Sequence, residues 1–176
     1  MNGYIEINVR SYFRGLSILF FSLQLPQIML VAIGLFLKYG SGEPLDPAMI
    51  GKNVTFIGIG AAVAGAAIFM SGQVFGKKLE EAKSQPLENK SITYRAACIF
   101  QWCILEAASV ISFILFFTGD EPILLFIPVF MVGFAIAKTK PSRDKFKRDL
   151  SLDFKEEAIM DDDEAIIGRV NKVDLG

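Results

Sequence analysis

The chain has 176 residues, 52% of them hydrophobic, with no histidine, two cysteines and a formal net charge of -1. Its mean hydropathy is +0.43, and the apolar residues come in long blocks instead of alternating with polar ones, which excludes a soluble domain in favour of a membrane unit with a polar tail. The charge balance excludes a nucleic-acid-binding face, and the lack of histidine removes the commonest general base and metal ligand, so no catalytic residue, metal or cofactor is expected.

The first apolar block covers 16–37 and contains no charge, although Gln24, Pro26 and Gln27 interrupt it. It is too long for a cleaved signal peptide and is expected to stay attached. Pro26 frees a backbone carbonyl, and the two amides beside it supply polar groups at mid-depth. After it, GSGEPLDP (40–47) has the composition of a turn-rich connection.

The second block, 54–75, carries GIGAAVAGAAIFMSG. Gly58, Ala61, Gly65, Gly72 and Gly76 fall close to one stripe of a helix, and small residues let helix backbones approach each other in lipid. This face predicts tight packing in a bundle, an oligomer or a larger membrane complex. The following KKLEEAKSQPLENK should prolong the helix beyond the bilayer until Pro86 ends it.

The third block, 96–117, has Glu106 near its centre as its only charge. A charged side chain at mid-bilayer costs about 2.5–3.5 kcal/mol on insertion scales. The carboxyl must therefore be neutral or meet polar partners, for which Gln101, Ser109, Gln73, Gln24 and Gln27 are the candidates. Two readings stay open: a proton- or ion-carrying site, and a polar contact that bolts helices together. Cys98 and Cys103 lie in the same block at a spacing that points them apart, as small buried hydrophobes and not as a disulfide.

TGDE is so short that the fourth block, 122–138, must run antiparallel to the third, with Pro122 in its first turn. At ~1.5 Å per residue the first three blocks cross a hydrocarbon core of ~30 Å, whereas the fourth needs Thr139 and lysine stems to finish it. Of the 18 lysines and arginines, all but Lys38 and Lys52 fall on the side that holds both termini. The positive-inside rule then puts both termini in the cytoplasm.

Residues 1–140 are thus expected to form an all-α, four-helix transmembrane bundle, and 141–176 a short cytoplasmic tail. The basic run of the tail, Lys138, Lys140, Arg143, Lys145, Lys147 and Arg148, should rest on anionic headgroups. The acidic run around DDDE (161–164) should be repelled from them and form at most a solvated or partner-docking helix.

The glycine-rich second block, the loop KSQPLE and ILEAASVISFILFF with Glu106 together resemble the subunit c (proteolipid) hairpin of rotary ATP synthases, over about Val54 to Gly119. Ser84 stands at the place of that family's loop arginine. The resemblance implies that Glu106 would be the proton or sodium carrier. The whole chain also resembles small four-span proteins of bacterial inner membranes, which implies a multi-pass protein of that membrane and no particular activity. The expectation is a non-enzymatic membrane component that packs through its second helix, with subunit c-like ion coupling as the alternative.

Overall fold

The computed structural model describes residues 4–40, 42 and 50–171. Four helical spans among these are long and apolar enough to cross a membrane: Val9–Tyr39, Val54–Lys83, Leu87–Gly119 and Pro122–Thr139, with mean hydropathies of 1.9 to 2.0. Their outer faces carry a belt of large apolar side chains, including Phe36, Phe69, Phe126 and Phe130, each more than half exposed. A surface of that kind is stable only against lipid. The chain is a multi-pass membrane protein built as a four-helix bundle.

A short strand, β1 (Tyr4–Asn8), leads into α1 (Val9–Tyr39). Asn8 caps α1 by accepting from the Ser11 N–H at 2.9 Å. The next unsatisfied N–H groups of that helix end, on Val9 and Arg10, donate to the carbonyls of Ala165 and Asp163, far away in the sequence. α1 passes through Pro26 without ending. α2 (Val54–Lys83) overshoots the apolar block by two turns, and α3 (Leu87–Gly119) starts directly after Pro86, as the sequence predicts. α2 and α3 form an antiparallel hairpin. Gly60 brings α2 close to the fourth span, where a Cβ would lie 2.6 Å from Leu124 Cδ2, the far end of a flexible side chain.

The fourth span is composite. A 3₁₀ turn (Pro122–Leu125) is followed by α4 (Phe126–Phe134) and a π-helical turn (Ala135–Thr139). Asp120, in the left-handed conformation at φ 56°, closes α3 and turns the chain into it. The carboxylate of Glu121, 1% exposed, accepts from the backbone N–H groups of Gly51 and Asn53 and so ties the α1–α2 connection to this turn. Lys38 pairs with Asp120 at the same end. The GSGEPLDP connection lies outside the described residues apart from Gly40 and Gly42.

The tail is not a loose segment on the membrane surface. It folds into α5 (Arg143–Leu150), α6 (Phe154–Asp161) and β2 (Ile166–Asn171). β2 pairs antiparallel with β1, Ile7 facing Gly168 and Tyr4 facing Asn171, with an irregularity at Asn8. This two-stranded clasp joins the two ends of the chain. Phe146, Leu150 and Met160 are fully buried. The Phe146 ring meets Tyr94 at 4.8 Å, Phe13 at 5.8 Å and Tyr12 at 6.0 Å, all edge-on. One hydrophobic core therefore runs from the middle of the bundle into the tail. The physical reason is amphipathic spacing: Phe146 and Leu150, four apart, share one face of α5, and the basic residues occupy the others.

Candidate polar site within the bundle

Neutral polar groups gather where α1 meets α3. Gln24 and Gln27 lie one turn apart on the inner face of α1, 3% and 0% exposed. Ser109 of α3, also fully buried, donates its hydroxyl to Gln27 Oε1 at 2.5 Å. The Gln27 amide donates in turn to Gln24 Oε1 at 3.1 Å and leans on the Leu23 carbonyl at 3.5 Å, beside Pro26. Ser112 returns its hydroxyl to the Ala108 carbonyl at 2.8 Å. Gln101, two turns before Ser109, is buried as well. Gln24 Nε2 and Gln101 Oε1, one a donor and one an acceptor, are enclosed without a partner among the described residues.

This seam consists of amides and hydroxyls and holds no group that titrates near neutrality. It can bind two helices in register, because breaking it strands donors and acceptors in an apolar interior. It cannot by itself store a proton.

Of the six polar residues singled out from the sequence, the structure bonds three together, Gln24, Gln27 and Ser109, while Gln101 is buried on α3 but bonds to none of them among the described residues. It leaves two outside. Gln73 is exposed on the outer side of α2. Glu106 is half-buried, one residue from the fully buried Leu105, and makes no hydrogen bond or ion pair among the described residues. On α3 the buried positions include 98, 101, 102, 105, 108, 109 and 112. Glu106 sits at the margin of that stripe.

The glycine stripe also faces away from the chain's own core. A Cβ at Gly58, Gly65, Gly72 or Gly76 would find nothing within 4 Å. The inner face of α2 is instead made of Gly60, Ala64, Ala67, Ser71, Phe75, Leu79 and Ala82. Ala61 lines a shallow apolar groove of about 220 Å³ against Leu124, Ile127 and Phe130 of the fourth span.

The basic run of the tail splits in two. Arg143 and Lys147 pair with Asp163 and Asp161, and Arg148 with Asp149. Lys145 donates to the Lys138 carbonyl at 2.6 Å and lies over the Phe75 ring. Lys138 and Lys140 stay exposed at the end of the fourth span. Burial pushes the Asp149 carboxyl above its ordinary value of 3.8, with Lys145 and Arg148 opposing the shift. Hydrogen bonds from Arg143 and Arg10 hold Asp163 below that value.

Four partners were missed in the sequence. Lys90 and Glu156, 7% and 15% exposed, form an ion pair at 2.7 Å that locks α6 onto α3. Glu121 and Ser112 were passed over too. Only Glu156 had a local signal: Asp153 and Glu156 form a capping box at the start of α6, a spacing visible in the chain.

No protein-family model, curated protein or solved structure matches the chain.

Proposed function

We propose that this protein is a non-enzymatic component of a membrane assembly that associates laterally through the outer face of α2. The observation that carries it is the division of labour on that helix. Its inner face, Gly60 to Ala82, holds the helix's buried residues, while Gly58, Gly65, Gly72 and Gly76 leave the opposite backbone open. Gly58, Gly65 and Gly72 recur every seven residues, the period at which one helix seam meets another. In lipid, a backbone stripped of side chains along such a seam lets a second helix come close and gain dispersion contacts. The occupant is a second copy of the chain. The strongly one-sided distribution of lysine and arginine supports a bacterial inner-membrane setting with both termini in the cytoplasm.

Fluorescence energy transfer between labelled copies in vesicles tests this. Association is expected at dilute protein-to-lipid ratios and should be lost on Gly65→Leu with Gly72→Leu, without loss of helix content. A chain that is monomeric at every ratio, with transfer unchanged in the variant, would sink the idea.

A second reading, ion coupling in the manner of subunit c with Glu106 as carrier, is favoured by one observation: among the described residues the carboxyl has no bond that would hold it in a structural role. Carbodiimide labelling at Glu106 that is slowed by raised pH or by sodium supports it. An inert Glu106 speaks for lateral contact alone.

A further inference from the structure

The cations at the end of the bundle that holds the tail fall into two sets. One set is spent on carboxylates: Arg10 and Arg143 on Asp163, Lys147 on Asp161, Arg148 on Asp149, Lys90 on Glu156. These hold the tail together, and among the tail's cations with described side chains Lys145, which donates to the Lys138 carbonyl, and Lys155 join neither set. The other set is Arg14 on α1, Lys77 and Lys78 on α2, Arg95 on α3, and Lys138 and Lys140 closing the fourth span. None of these six is paired with a carboxylate among the described residues.

Contacts between the spans bring the six within about two turns of one another along the bundle. The Tyr12 hydroxyl donates to the Ser91 carbonyl at 2.7 Å, and the Phe75 and Tyr94 rings are 5.9 Å apart, which aligns the ends of α1, α2 and α3. Trp102 Nε1 donates to the Thr139 carbonyl and Lys140 lies over Phe21, which sets the end of the fourth span seven residues deeper than Arg14 and Arg95. Each of the four spans contributes at least one cation. About one turn further into the bundle the surface turns apolar, with Ile18, Phe100 and Ile136 exposed. Lys78 already rests over the Phe100 ring at 4.8 Å, its stem along that surface.

We propose that these six residues form a collar for anionic phospholipid headgroups, with the phosphodiester as the group bound. A protein partner would select cations on one contiguous face; here they are distributed over all four spans, at the border between the apolar belt and the polar end. Asp161, Asp163 and Glu164 of the acidic segment, which would compete for them, are already paired with Lys147, Arg143 and Arg10. The expectation that the whole basic run from Lys138 to Arg148 meets the membrane is thereby narrowed to its first two lysines and extended to the other three helices.

Reconstitution into phosphatidylcholine vesicles with spin-labelled phosphatidylglycerol or spin-labelled phosphatidylcholine as reporter tests the collar. The chain is expected to immobilise phosphatidylglycerol preferentially, gaining up to about fivefold for each cation that meets a headgroup. The preference should fall toward one as salt is raised to about 1 M, where the screening length drops to roughly 3 Å. Arg14→Gln, Lys77→Gln and Arg95→Gln together should abolish most of it, whereas Lys147→Gln, which loosens only the tail, should leave it intact. Equal immobilisation of the two lipids by the unaltered chain, or a preference indifferent to salt, overturns the proposal even if the triple variant folds poorly. A preference kept in full by a well-folded triple variant overturns it as well. So does a preference lost in Lys147→Gln, which would move the binding to the tail.

Discussion

At the scale of single residues, the bundle is held by bonds that are cheap to form and costly to leave half-made. Ser109 donates to Gln27 across the α1–α3 contact. Ser109→Ala removes the donor and leaves Gln27 Oε1 enclosed, so we expect a loss of about 0.5–1.5 kcal/mol, the range found for interhelical hydrogen bonds in membranes. Unfolding in mixed micelles measures it, and adding Gln27→Leu should cost less than the sum of the two single changes, because the orphaned acceptor disappears. Outside the spans, Asp149 and Asp163 work in opposite directions with pH. Burial raises Asp149, so the docked tail favours its protonated form. Docking is helped in full below the ordinary value of 3.8, and the help fades as pH rises through the raised one. Asp163 is lowered by its arginines, so its contribution is present above 3.8 and lost as pH falls through the depressed value. Asp149→Asn should therefore flatten the decline in docking as pH rises above 3.8 while sparing the loss in strong acid. Proteolytic cleavage between α5 and α6, followed against pH, reads both limbs; an unchanged profile in the variant would refute the assignment. The polar residues of this site were legible as residue types, since an amide or an acid inside an apolar block stands out. Their grouping was not. Which of them face each other depends on helix rotation, and that is why Gln24, Gln27 and Ser109 meet while Glu106, three residues from Ser109, does not.

At the scale of elements, α2 makes the clearest comparison. Its two sides both carry glycine, but for different reasons. A methyl group at Gly60 runs into Leu124 and Ile127, at 2.6 and 3.0 Å, whereas one at Gly65 enters open space. Gly60→Ala should destabilise the bundle by roughly 1 kcal/mol or more, the lower end of overpacking costs because the obstructing atoms are ends of flexible side chains. Gly65→Ala should leave the isolated chain as stable or slightly more so, since alanine is the better helix former. Thermal unfolding of the two variants side by side checks the pair, and equal losses would contradict the assignment of faces. The existence and approximate bounds of the four spans could be read from apolar block length, and so could the stop at Pro86 and the start at Pro122. The fine structure of the fourth span could not. Its 3₁₀ entry and π-helical exit reflect the fit of a short segment between Glu121 and Trp102, which no local pattern encodes.

For the whole molecule, the decisive feature is the return of the tail. β1 and β2, from opposite ends of the chain, close over the end of the bundle, and the Lys90–Glu156 pair locks α6 beside them. Because both partners are mostly buried, Glu156→Gln would leave the lysine charge enclosed and should cost about 3–5 kcal/mol of tail docking. Replacing both partners with methionine should recover most of it. Hydrogen exchange of the β1 and β2 amides follows this directly; protection unchanged by Glu156→Gln would show the pair to be idle. The sequence by itself determined that four segments live in lipid and that they alternate in direction, because transfer of long apolar blocks from water outweighs every other term and is additive along the chain. Only the tertiary structure decided which face of each helix turns inward, and that Arg143 and Lys147 of the basic run pair with Asp163 and Asp161 of the acidic one. Those outcomes turn on contacts between residues more than a hundred positions apart, such as Arg10 with Asp163 and Tyr12 with Phe146. Such pairings are set by the geometry of the packed bundle, and composition and spacing carry no record of them.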